Sequence, residues 1–156
     1  MPELFVKRTR IPAPAERVFA WHEAPGALEK LTPPWEPVAV VERHGSIRDG
    51  DRTVLRVGPL PFRLTWVAEH QGYIPNRQFR DVQLRGPFAR WEHTHSFEPD
   101  GPGACILEDR IEYELPFGWL GRLCGGAFTR RKLERMFAYR HAVTLRELAG
   151  GGDNKA

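Results

Sequence analysis

Two neighbouring stretches decide the fold: Trp91-Glu92-His93-Thr94-His95-Ser96-Phe97, and Cys105-Ile106-Leu107-Glu108-Asp109-Arg110-Ile111-Glu112-Tyr113-Glu114-Leu115. Both alternate with a period of two, the mark of a strand with one buried face. In the second, Glu108, Arg110, Glu112 and Glu114 must face water, so Cys105, Leu107, Asp109, Ile111, Tyr113 and Leu115 point inward. In the first, Trp91, His93, His95 and Phe97 share the inward side. Two histidines and one acid are therefore predicted inside. Asp100-Gly101-Pro102-Gly103 reverses the chain between the two stretches and makes them antiparallel neighbours.

Working outward, Asp49-Gly50, Gly58-Pro59-Leu60-Pro61, Pro75-Asn76 and Gly86-Pro87 mark four more reversals. They delimit strands at 37–47, 51–57, 62–71, 77–85, 90–98 and 103–115, an antiparallel meander. A seventh strand, 4–11, precedes Pro12-Ala13-Pro14, which opens a helix over 14–23 with Val18, Phe19 and Trp21 on its core side. Pro25-Gly26 ends that helix, and a second helical turn covers 27–31. After Pro116 the pattern is helical to Leu148. Leu120, Leu123, Cys124 and Ala127 share one side, whereas Leu133, Met136, Phe137, Thr144 and Leu148 fall about a third of a turn away. The phase slip predicts a kink at Gly125-Gly126. The expected fold is α+β: one domain over 1–149, with seven antiparallel strands forming a curved sheet, two short helices and a long C-terminal helix gripped by the sheet. Residues 150–156, Gly-rich and polar, are expected to be a disordered tail.

Composition narrows the function. The chain has 156 residues, enough for one core. Its net charge of +3 is small, and the one dense basic run, Arg130-Arg131-Lys132, is followed at once by Glu134, which argues against a nucleic-acid partner. No apolar run is long enough to span a bilayer and no leader pattern opens the chain, so a cytoplasmic protein is expected. Cys105 and Cys124 have no metal or disulfide spacing. Neither a phosphate loop nor a Gly-x-Ser-x-Gly elbow occurs, and no cofactor is indicated.

Register then groups the inward polar residues. Pairing Phe97 with Cys105 sets His93 opposite Asp109, and pairing Gln83 with Trp91 sets His93 beside Asp81. Asp81, His93 and Asp109 would form one row, in which two acids flank a histidine and spare each other the cost of unpaired burial.

The stretches Phe79-x-Asp81-x-Gln83, Gly86-Pro87-Phe88-x-x-Trp91-x-His93-x-His95-x-Phe97 and Asp109-x-Ile111-x-Tyr113-x-x-Pro116-x-Gly118-x-x-Gly121 resemble the SRPBCC or START-like superfamily, the helix-grip fold of polyketide cyclase/dehydrase-like proteins. The resemblance runs from Phe5 to about Leu148, and is to a bacterial subgroup also found as an N-terminal domain ahead of an epimerase-like Rossmann domain. It implies a cavity between sheet and terminal helix that holds a small hydrophobic or amphipathic molecule of lipid, polyketide or isoprenoid type. Trp66, Phe79, Phe97, Leu107, Tyr113, Leu133 and Phe137 would line its apolar part, and Asp81, Gln83, His93, His95 and Asp109 its polar end. Three readings of the polar residues stand side by side: a purely structural hydrogen-bond network, the polar end of a ligand cavity, and a cupin-like metal site of His93, His95 and Asp109. A cyclase/dehydrase-type enzyme, with His93 activated by Asp109 or Asp81 as general base, is the alternative to a binder. A protein-interaction module with a self-filled cavity is a third possibility.

Overall fold

The computed structural model describes residues 1–149, and the expected tail at 150–156 lies outside them. The strands are β1 (Glu3–Ile11), β2 (Val38–His44), β3 (Arg52–Val57), β4 (Leu64–Ile74), β5 (Gln78–Arg85), β6 (Arg90–Pro99) and β7 (Cys105–Glu114); the helices are α1 (Ala15–Glu23), α2 (Ala27–Leu31) and α3 (Gly118–Ala149). All seven strands form one antiparallel sheet in the order β1-β7-β6-β5-β4-β3-β2. The first strand thus closes against the last, and the five hairpins run outward from there. Register shifts between Val40 and Glu42, between Val67 and Ala68, and between Gln71 and Ile74 are bulges, which bend their strands and curve the sheet.

The curved sheet packs against helices on one face only, so its strands keep strict alternation. On β7, Cys105, Leu107, Asp109, Ile111 and Tyr113 are all buried, and on β6 Trp91, His93, His95 and Phe97 are too. Two apolar clusters result. One gathers Ile11, Val18, Phe19, Phe79, Phe97, Leu107 and Leu148 beneath α1. The other gathers Phe5, Trp91, Ile111, Tyr113, Leu133 and Phe137 beneath the middle of α3.

α3 differs from expectation. It is assigned as one helix of 32 residues that runs on through Gly125-Gly126 without a break. The phase slip has another cause: only the second half, with Leu133, Phe137, His141, Thr144 and Leu148, reaches the core. Leu120, Leu123, Cys124 and Phe128 in the first half are exposed, so that half carries no core face to keep in phase. Gly121 has a separate reason to be glycine, since a Cβ there would collide with the Pro116 carbonyl. No helix among the described residues is long and apolar enough to cross a membrane.

Phe137 is 1% exposed and packs against the rings of Phe5 and His93, at 5.5 and 5.2 Å between centroids. Phe137→Ala should therefore lower the unfolding free energy in a urea titration by about 3 kcal/mol, as for other buried phenylalanines; a loss below about 0.5 kcal/mol would mean that α3 does not clamp the sheet.

Candidate functional site

Between the two apolar clusters lies a polar layer, one residue or two deep on every element that crosses it. Thr9 comes from β1, Asp81 from β5, His93 and His95 from β6, Asp109 from β7 and His141 from α3. Asp109 is 4% exposed and sits at its centre. Its Oδ1 accepts from His93 Nε2 and from His95 Nδ1, each at 2.8 Å, and its Oδ2 accepts from His141 Nε2 at 2.7 Å. The Thr9 hydroxyl hydrogen-bonds His141 Nδ1 at 2.6 Å and so orients the ring whose Nε2–H points at the carboxylate. Asp81 Oδ1 accepts from His95 Nε2 at 3.1 Å, with His93 Nδ1 at 3.4 Å.

The expected contact between His93 and Asp109 is present, but the register that produces it is not the expected one. Phe97 pairs with Leu107, so His95 lies opposite Asp109 and His93 opposite Ile111. The reversal spans 100–104, and the pairing moves by two residues. A shift of two preserves every face, and His93 reaches Asp109 diagonally. The pairing of Asp81 with His93 is as expected.

His95 has a carboxylate on each ring nitrogen. Burial alone would lower its pKa, but Asp109 and Asp81 more than reverse this and push it up to about 9. His95 is an imidazolium at neutral pH. Burial and the His95 charge, with ring centroids 3.8 Å apart, lower the pKa of neighbouring His93. For both acids burial works upward but loses to the imidazoles: Asp81 and Asp109 lie well below the usual carboxylate range. Burial also takes His22, on the α1 side of the layer, down to about 4.

Beside this layer is a cavity of about 600 Å³. Its floor is the concave face of β3 to β6, and its roof is α2 and α3. Apolar side chains such as Trp66, Phe88, Trp91, Leu133 and Phe137 form most of the wall, and the exposed rings of Phe62 and Phe128 stand at the mouth. β7 and β1 are absent from the floor because α3 packs directly on that half of the sheet. This sorts the expected lining residues. Trp66, Phe79, Asp81, His93, His95, Leu133 and Phe137 line the cavity. Phe97 and Leu107 are buried in the α1 cluster instead, Tyr113 lies under α3 with its hydroxyl donating to Glu3 at 3.4 Å, and Asp109 is screened from the cavity by its histidines. Gln83 is also elsewhere: it bridges the β5–β6 turn, donating to the Phe88 carbonyl at 2.8 Å and accepting from the Phe88 N–H.

Sequence reasoning missed His141 and Arg140, although His141 lies four residues beyond Phe137 and eight beyond Leu133, on the helix face assigned to the core. It also missed His70, which shares a strand face with Trp66 and Ala68, and the pair Lys132–Glu36, 3.1 Å apart in the cavity wall. A metal would find donor atoms of Asp81, His93 and His95 within 4.8 Å of one another. Each imidazole nitrogen of that set already faces a carboxylate, so an ion there would have to dismantle the layer.

Comparison with known proteins agrees with this architecture. The family described as polyketide cyclase / dehydrase and lipid transport matches residues 11–138. The chain belongs to that family. A nucleoside-diphosphate sugar epimerase of Corynebacterium glutamicum is 29% identical over 93% of this chain, with a TM-score of 0.74; the chain spans 29% of that protein's length. A START superfamily protein of Mycobacterium smegmatis is 14% identical, with 94% of this chain and 97% of that one covered and a TM-score of 0.67. Norcoclaurine synthase of Thalictrum flavum is 13% identical, with 98% and 96% covered and a TM-score of 0.75. The last two are likenesses of fold. No curated protein matches the chain.

The layer makes stability depend on pH with a definite sign. An unfolded histidine titrates near pH 6.5. Because His95 keeps its proton up to about 9, the folded state binds more protons between these values, and stability falls as pH rises through the window. His22 and His93 are shifted the other way, are neutral in both states above 6.5, and disfavour the fold only below it. Stability should peak near pH 6.5 and be about 2 kcal/mol lower at pH 8.5 in urea titrations. A flat profile over that interval would show His95 to be neutral. Asp109→Asn, which leaves three imidazoles facing a weakened acceptor, should cost about 3 to 5 kcal/mol at pH 6.5.

Proposed function

We propose that the domain binds one small amphipathic molecule, of lipid, polyketide or isoprenoid type, between the sheet and α3. The observation that carries this reading is the unequal packing of the two halves of the sheet. Where α3 lies on β1 and β7 the interior is filled, whereas over β3 to β6 the same helix stands off and leaves about 600 Å³ walled by Trp66, Phe88, Trp91, Leu133 and Phe137. An unfilled apolar void of this size opposes folding, and its volume and composition are those of a small-molecule site. The mouth, with Phe62 and Phe128, suits the passage of an apolar body.

Binding fits the polar layer better than general-base catalysis does. His93, the base of that alternative, gives Nε2 to Asp109 at 2.8 Å and turns Nδ1 to Asp81 at 3.4 Å, so neither nitrogen is left free for a substrate, and Asp109 itself is out of reach of the cavity. His95 is already protonated, and Asp81 is held well below the usual range by the histidines. The layer is a fixed floor with polar edges, suited to orienting oxygen atoms.

Native mass spectrometry of freshly purified protein, followed by solvent extraction, tests the reading. A bound species of a few hundred daltons is expected. Ala68→Phe, which fills the wall beside Trp66, should reduce its occupancy severalfold without lowering the melting temperature by more than a few degrees. Equal occupancy in the variant would place the ligand elsewhere.

A further inference from the structure

The cavity wall is short of hydrogen-bond acceptors. Among the described residues, the buried side-chain polar atoms without a partner belong to Arg43, Trp66, His70, Arg80, Trp91 and Arg140, and every one is a nitrogen. All but Arg80 are residues of the cavity wall. Arg and Trp nitrogens can only donate, so what this wall lacks is oxygen.

Two of these residues are cations. Arg140 lies on α3 one turn beyond Phe137, and its guanidinium sits 5.0 Å from that ring. Arg43 comes from β2, elsewhere in the wall and within the field of His70. Among the described residues neither has a carboxylate within 4.0 Å or a side-chain hydrogen bond. Lys132, in the same wall, is matched by Glu36 at 3.1 Å. A half-buried guanidinium with no acceptor is uncommon, because burial of a charge is costly unless it is paired. The carboxylates nearest in field to Arg140 are Asp109 and Asp81. Both Asp109 oxygens and Asp81 Oδ1 are taken by imidazoles, which leaves only Asp81 Oδ2 unengaged. The acids of the polar layer are committed to its imidazoles and Glu36 to Lys132, so neither guanidinium has a matching carboxylate in the cavity wall.

We propose that the ligand is an anion, an amphipathic carboxylic acid whose carboxylate is held by Arg140, while its apolar body lies against Trp66, Trp91 and Leu133. This rests on the binding reading above and names the class of molecule bound. The planar fork of Arg140 offers a carboxylate paired donors, and the partly desolvated setting strengthens the contact.

The test uses the whole chain and the neutral fluorophore N-phenyl-1-naphthylamine as a cavity probe, displaced at pH 7 by decanoate or by decan-1-ol. In an apolar cavity without an anion site the alcohol is the better competitor, since its head is easier to desolvate. Decanoate is expected to displace the probe at a concentration at least about tenfold lower than decan-1-ol. Arg140→Met should abolish that preference while changing decan-1-ol displacement less than threefold. Arg140→Lys, which keeps the charge without the fork, should recover part of it. If the probe binds but decan-1-ol matches or exceeds decanoate in the wild type, the anion assignment is wrong and the binding reading stands. If the preference persists in Arg140→Met, Arg140 is not its source and the assignment is equally wrong. If the probe does not bind at all, the binding reading falls and takes this inference with it. The wild-type comparison decides the matter even if a variant fails to fold.

Discussion

A carboxylate buried at the centre of the sheet is the constraint from which the rest of this structure follows. Asp109 is removed from water and ionised, a state that is affordable only with several charge-assisted hydrogen bonds. It obtains three, and their origins matter more than their number. His93 and His95 come from the adjacent strand, but His141 comes from α3 and is itself oriented by Thr9 of β1. One acid therefore joins β1, β6 and β7 to the terminal helix. Apolar contacts between α3 and the sheet could tolerate sliding by a turn; three hydrogen bonds of 2.7 to 2.8 Å to one carboxylate could not.

The layer also divides the core. Going along β6, Trp91 belongs to one apolar cluster and Phe97 to the other, with His93 and His95 between. The same order appears on β7 as Ile111, Asp109, Leu107, and on α3 as Phe137, His141, Leu148. With helix on one side and strand on the other obeying one sequence of layers, register and helix placement are mutually fixed. Asp81 lies at the edge of this arrangement, where the packed half of the sheet gives way to the open half, so the cavity meets the polar layer only along its rim.

Much of this was legible in the chain because strands write their burial plainly. A period of two has only two faces, and once Glu108, Arg110, Glu112 and Glu114 claim the outer one, Asp109 has nowhere to go but inward. Seven strands, three helices and the Asp81, His93, His95 and Asp109 set follow from such arguments. Register was less legible, because moving the reversal from 99–103 to 100–104 shifts the pairing by two and leaves every face unchanged; hydrophobic pattern cannot distinguish the two. His141 carried a signal, its spacing from Leu133 and Phe137, but the exposed apolar residues of the first half of α3 obscured the helix's true face. Which inward residues line the cavity was not legible at all. Phe97, Leu107 and Tyr113 have the same inward alternation as Phe79 and Trp66, and differ only in whether a helix lies directly above them, a property of tertiary packing that no strand period records.

The division between a charged floor and an apolar mouth sets how the site can adapt. Displacing any acid or histidine of the polar layer would separate an imidazole from a carboxylate in a region screened from water, where an unpaired charge is most costly. The floor and the half of α3 above it must therefore move together or not at all. At the mouth the restraints are weak: Phe62 and Phe128 are 79% and 72% exposed and give up little packing when they move. In the proposed binding mode a ligand would enter by rearranging these rings, while the buried layer at the far side stays fixed. Preorganisation at one end and compliance at the other thus arise from a single cause, the decision of the fold to bury Asp109 beneath one half of the helix and leave the other half uncovered.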